Sequence, residues 1–236
     1  MQVQTGAQFK PNLYVLSWGL YPRRITIYLK EKRIIDRVSI KEVPVTSTGL
    51  GSIPGKPQGS VPILEYAPGQ YIRQSSAILE YLEDLYPEAP FMRGTTPESR
   101  ARTRELLDLS NEACSFLSFY LHNGSALFSG FEKQSPEAAG QAMERLELLF
   151  SQIEDMSDPE GPFLAESGDQ PGLADIVVLA TVQFAKGVYG IDIVKKHMRL
   201  TQMVSAFERR DSAIWDDAPA ELTSVARKFN VKDVEV

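Results

Sequence analysis

Strand-length apolar runs occur only in the first third of the chain, and helical periodicity takes over after it. The run Leu13-Tyr14-Val15-Leu16, within residues 12–17, is short and continuous, as expected of a buried strand. After a turn at Trp18-Gly19-Leu20, Pro22 suits the first position of a helix, where its missing N–H costs nothing. Ile25, Tyr28 and Leu29 repeat at helical spacing as far as Lys32. A second strand is expected over 34–43, with Ile35, Val38 and Ile40 alternating less cleanly. Residues 44–60 are dense in Gly, Pro, Ser and Thr and read as loop, with at most one helical turn. A strand over 61–66 follows, then a tight turn at Ala67-Pro68-Gly69-Gln70 and a hairpin partner at 71–73. Ser75 stands where an N-cap is expected, and the helix carrying Ile78, Leu79, Leu82 and Leu85 stops at Pro87.

Residues 89–96, with Pro90 and Gly94, are the one good linker, so the pattern predicts domains at 1–88 and 97–236. The second domain reads as all-helical. Leu106, Leu109, Ala113, Phe116, Leu117 and Tyr120 share a face of a long helix from Pro97 to about Leu121. Met143, Leu146, Leu149, Phe150 and Ile153 do the same over 136–156. Residues 173–188 are apolar nearly all round and predict a central helix buried by its neighbours. Shorter helices are expected over 195–210 and 219–229. The expected architecture is a βαβ…ββα unit followed by five helices.

Composition narrows the function. With 43% hydrophobic and 24% charged residues, the 236-residue chain is an ordinary globular sequence able to bury a core. No stretch approaches the roughly 20 apolar residues of a membrane helix, and the polar residues 1–10 lack the apolar centre of a secretory signal. The single cysteine, Cys114, rules out an internal disulfide or a CxxC pair, fits a reducing, cytoplasmic setting, and reads as a small core residue. His122 and His197 are too few and too far apart to suggest a metal centre. A formal charge of −6 argues against a general nucleic-acid binder.

Three segments carry a resemblance. They are the strand-turn-helix opening through Tyr21-Pro22-Arg23-Arg24-Ile25 to Leu29-Lys30-Glu31-Lys32, then Gly59-Ser60-Val61-Pro62-Ile63-Leu64 with Gln74-Ser75-Ser76-Ala77-Ile78, and finally Gly172-Leu173-Ala174-Asp175-Ile176. Together these resemble the cytosolic glutathione transferase superfamily, whose fold is a thioredoxin-like α/β N-terminal domain followed by an all-α C-terminal domain. The resemblance implies a cis peptide bond at Val61–Pro62, with the Val61 backbone pairing with the cysteinyl unit of glutathione. Read alone, Pro62 is an ordinary trans-proline opening an edge strand. By the same resemblance the γ-glutamyl carboxylate meets Gln74 and Ser75 at a helix N-terminus, where unpaired N–H groups attract an anion. Gln74 replaces a commonly acidic residue, which weakens capture of the glutamyl ammonium group. Lys56 is the candidate for the glycyl carboxylate, and Asp175 resembles a buried capping aspartate, its partner three residues earlier being Gly172.

The family implies thiolate formation by a Tyr, Ser or Cys just after the first strand, yet Gly19 falls at the usual Ser or Cys position. Ser17 and Tyr21 are the nearest hydroxyls; a strand end facing the cleft favours Ser17, and a one- or two-residue change in the turn favours Tyr21. The resemblance further implies an apolar electrophile held between Trp18 and Tyr21 on one side and Phe116, Phe119, Tyr120 and His122-Asn123 on the other. It implies a homodimer as well, with no metal, nucleic-acid or membrane partner. Conjugation of glutathione is the leading expectation. A glutathione-dependent isomerase or lyase, or a non-catalytic glutathione-binding protein, are the alternatives.

Overall fold

The computed structural model describes residues 9–46, 49–87, 90–165 and 168–231. Residues 1–8 of the polar stretch and residue 89 of the expected linker lie outside them. The chain divides into two compact units, Met1–Ala89 and Pro90–Val236.

The first unit is built on a four-stranded mixed sheet in the order β2-β1-β5-β6. Strand β1 (Asn12–Val15) is the apolar run read from the sequence, and α1 (Leu20–Glu31) carries the chain across to β2 (Ser39–Glu42), parallel to it. β5 (Ile63–Ala67) pairs antiparallel with β1, and β6 (Gln70–Arg73) completes a hairpin with it. Helix α2 (Ser75–Leu85) follows.

Four local expectations are corrected. The strand expected over 34–43 is one 3-10 turn (Ile35–Arg37) and then β2. The chain cannot run straight out of α1, because Arg33 has a φ of 59° and the Ile34 N–H closes back on the Leu29 carbonyl at 2.9 Å. Inside the expected loop 44–60, β3 (Val45–Thr46) and β4 (Gly49–Leu50) form a minimal antiparallel ladder. Helix α1 starts two residues before Pro22, with Gly19 as N-cap. Proline is accommodated there because the first-turn N–H groups have no intrahelical acceptor. The N-cap of α2 is Gln74, at φ 73° and ψ 120°, which makes Ser75 the first helical residue.

The two sheet faces can be told apart by alternation. Tyr14 and Ile63 join Val43 and Val61 in a buried cluster, with Leu16, Ile53 and Tyr71 packed against it. Leu13, Val15 and Leu64 alternate to the opposite face and are 0–1% exposed. Helices α1 and α2 pack together around a buried Lys32–Glu83 ion pair of 2.6 Å, to which the Tyr28 hydroxyl donates at 2.8 Å.

In the second unit α3 (Pro97–Gly124), α4 (Pro136–Met156), α5 (Leu173–Tyr189), α6 (Met198–Glu208) and α7 (Ala220–Ala226) are the five expected helices, with the last two shorter than their apolar pattern suggested. α5 is buried nearly all round. Its start is held by Asp175, which accepts from the Gly172 N–H at 2.8 Å and the Leu164 N–H at 2.7 Å. Gly172 has no side chain to return the bond. Cys114 is a buried core residue. His197 is buried between Glu147 and Glu154, 3.1 Å from each. No helix among the described residues is long and apolar enough to cross a membrane.

Candidate functional site

The sheet register gathers most of the candidate residues of the first unit at one end. Tyr14 pairs with Ile63, so continuing that antiparallel register sets Leu16 opposite Val61. The two side chains do belong to one cluster, and Ser17 is the next residue at that end of the sheet. The Val61–Pro62 bond is cis, as the motif implied. Ile63 pairs with Arg73, the last residue of β6, so Gln74 and Ser75 follow at the end of the sheet where Pro62 leads into β5. Ser17, Val61, Pro62, Gln74 and Ser75 thus lie at the same end of the sheet, where β1 and β6 end and β5 begins.

Helices α1 and α2 both start at that end, directly after β1 and β6. Each helix N-terminus is the positive end of its dipole, and neither first turn contains an acidic residue. This end of the sheet therefore carries the positive ends of two helix dipoles. The Ser75 hydroxyl lies within it, 5% exposed, and accepts a hydrogen bond from Arg24 Nη1 at 3.3 Å.

The two hydroxyl candidates differ in setting. Ser17 is half-buried in the turn after β1, and its backbone N–H donates to Glu42 Oε1 at 2.8 Å. Tyr21 lies in the first turn of α1, 40% exposed, with the Arg24 guanidinium 4.8 Å from its ring centre. Gly19 packs its backbone on Leu16, with its N–H bonded to the Leu16 carbonyl at 2.8 Å. A Cβ there would approach the Leu16 carbonyl oxygen to 3.1 Å. Trp18 is half-buried in the same turn as Ser17.

Lys56 points back at its own loop, its ammonium donating to the Gly59 carbonyl at 2.9 Å and the Pro57 carbonyl at 3.1 Å. Arg73 closes the same loop by donating to Gln58 O at 2.8 Å. Lys56 nonetheless lines a cavity of about 400 Å³ with Leu50, Ser52 and Gln58. In the helical unit the candidate rings diverge. Phe116 lies under the Arg145 guanidinium, 5.9 Å away, and Phe119 is 63% exposed. Tyr120 is buried and stacks on Phe229 at 5.4 Å, and burial raises its pKa. His122 pairs with Glu132 at 2.9 Å, and Asn123 accepts from the Ser135 N–H at 3.2 Å. Among the described residues no group of His, Cys, Asp or Glu is placed to hold a metal ion.

Sequence reasoning missed Arg24 and Glu42. Glu42 carried no signal. Arg24 carried one, since Arg24, Tyr28 and Lys32 recur every fourth residue along one row of α1, each long and polar-tipped.

The comparisons with known proteins fit this geometry. Residues 13–90 match the family model for the glutathione S-transferase N-terminal domain. A maleylacetoacetate isomerase from Pseudomonas aeruginosa is 29% identical over 174 residues, 70% of this chain and 76% of that protein. Among solved structures, glutathione transferase Omega 3C from Trametes versicolor superimposes with a TM-score of 0.67 at 21% identity, over 90% of this chain and 92% of its own. A glutathione S-transferase from Methylobacillus flagellatus, solved with glutathione bound, gives 0.69 at 17% identity, over 86% of this chain and 96% of its own. Residues 13–90 thus match the glutathione S-transferase N-terminal domain family, and the α/β unit followed by a helical unit is the glutathione transferase fold.

Proposed function

We propose that the protein is a glutathione transferase, which activates the glutathione thiol and adds it to an electrophilic, largely apolar small molecule. What supports this reading is that Ser17, the cis Val61–Pro62 bond and Gln74–Ser75 lie at the end of the sheet where two helices start, neither with an acid in its first turn. In this reading the γ-glutamyl carboxylate meets the Ser75 hydroxyl and the first N–H groups of α2. The cysteinyl unit pairs with the Val61 backbone, and its sulfur lies toward Ser17 at the mouth of α1. Lys56 is the candidate for the glycyl carboxylate, with Trp18, Phe116, Phe119 and Tyr120 as candidates to contact the electrophile.

An ordinary thiol has a pKa of about 8.5, and each unit of depression needs about 1.4 kcal/mol of preferential thiolate stabilisation. A hydroxyl donor together with a helix N-terminus supplies about two units. The thiolate sulfur attacks the electrophilic carbon and a C–S bond forms. The electron pair leaves with a departing group or is protonated on the acceptor.

The test is ultraviolet titration of the bound thiolate in wild type, Ser17→Ala and Tyr21→Phe. Ser17→Ala is expected to raise the thiol pKa by about one to two units, or about 1.4–2.7 kcal/mol. Tyr21→Phe is expected to change substrate preference instead. The reverse pattern moves the role to Tyr21, and glutathione bound without any shifted thiol leaves a binding protein rather than an enzyme.

The 29% identity to a maleylacetoacetate isomerase favours a second reading, in which the same thiolate adds reversibly and glutathione is regenerated. Thiol counting separates the two, because conjugation consumes glutathione and isomerisation returns it. We also propose a homodimer. Light scattering should give twice the 26.3 kDa chain mass, and a single-chain mass at micromolar concentration rejects the dimer.

A further inference from the structure

Helix α1 and its C-cap Lys32 bury a row of polar-tipped side chains, Arg24, Tyr28 and Lys32, each 0–2% exposed. The lower two converge on Glu83 of α2. Arg24, nearest the start of α1, reaches the start of α2 instead, with Nη1 3.3 Å from Ser75 Oγ. Its guanidinium also faces the Tyr21 ring at 4.8 Å. One buried cation therefore touches the first turn of both helices.

A guanidinium has donors and no acceptor. Ser75 Oγ must offer Arg24 a lone pair, and its own O–H proton is turned away from Arg24. Ser75 is the first residue inside α2 and Gln74 is the cap, so the serine stands among the unpaired N–H groups of the helix. A permanent charge 2% exposed beside those donors adds to the positive end of the α2 dipole. A hydroxyl polarised as a donor, backbone donors and a buried cation together select a carboxylate.

We infer that Arg24 is a positioning residue. It holds the Ser75 hydroxyl with its proton directed to the ligand, and it makes this end of the sheet selective for the α-carboxylate of the γ-glutamyl group. The inference rests on the reading that this group sits at Gln74–Ser75.

The test is calorimetric titration with glutathione and with 4-aminobutyryl-cysteinylglycine, the same tripeptide without its α-carboxylate. The readout is the ratio of the two affinities. Arg24→Met is expected to lower that ratio about tenfold, the scale of one hydrogen bond to a charged group, while Arg24→Lys retains most of it. A purely structural role would weaken both ligands alike and leave the ratio unchanged, which overturns the inference. If Arg24→Met does not fold, Ser75→Ala reads the same ratio, and no change there overturns it equally. A wild type that binds neither tripeptide overturns the glutathione reading and this inference with it. A wild type that binds glutathione while Arg24→Met keeps the full ratio overturns the Arg24 role alone.

Discussion

Asp175 gives the pH dependence of the helical unit a definite sign. It is fully buried at the start of α5, and burial pushes its pKa from 3.8 up to about 6, against the N–H groups of Leu164 and Gly172 and the charge of Arg199, which pull it down. The folded state thus binds this proton more tightly than the unfolded chain. Stability from this group is fully present below about pH 4 and is lost as pH rises through about 6. The shift of about two units corresponds to about 3 kcal/mol. Asp175→Asn removes the ionisation and keeps the shape. Its amide can accept from only one of the two N–H groups, a cost of about 1–3 kcal/mol that does not vary with pH. Urea unfolding followed by far-ultraviolet circular dichroism, in parallel for both proteins, isolates the difference. The advantage of wild type over the variant should shrink by about 2–3 kcal/mol between about pH 4 and pH 7. A constant advantage, or one that grows with pH, would mean that the two N–H bonds hold the anion and that burial does not dominate.

Two further outcomes follow from packing. Glu83→Ala leaves Lys32 buried without its 2.6 Å partner and should cost about 3–5 kcal/mol of unfolding free energy. Replacing both residues with apolar ones should recover most of it, and an additive loss in the double variant contradicts the argument. Gly187 lies on α5 where any Cβ would run into the Trp215 ring, so Gly187→Ala should cost about 1–3 kcal/mol and alter tryptophan emission. An unchanged melting temperature would show that the ring can give way.

Legibility in the sequence tracked the distance between cause and effect. The bounds of α4, Pro136–Met156, were readable because its signals are local: Ser135 accepts from the Ala138 N–H at 3.2 Å, and Pro136 opens the first turn. β1 and β5 were readable as apolar runs, and Val61–Pro62 as part of a motif. The strand expected at 34–43 failed in its first part because the left-handed Arg33 turns the chain, and arginine carries no signal for a φ of 59°. The cap of α2 was misplaced by one residue for the same reason, since Gln74 at φ 73° does not look like a turn residue. Arg24 and Ser75 are separated by 51 positions, and Ser17 and Glu42 by 25. Pairings of that range exist only once the sheet has formed.

The candidate chemistry accordingly depends on residues that have no chemistry. Ser17, Pro62, Gln74 and Ser75 lie outside the strands, and what aligns them is the register of β1, β5 and β6. That register is held by the buried cluster of Tyr14, Val43, Val61 and Ile63. A slip of one residue between β1 and β5 would turn Ile63 to the opposite face from Tyr14 and expose apolar surface on both sides. The same slip would carry Val61 and Pro62 one position away from Ser17. Burial of the cluster and assembly of the site therefore select one pairing. The hydrophobic alternation that specifies the sheet also specifies which backbone groups stand beside the start of α1, although no residue of the cluster needs to touch a reacting atom through its side chain.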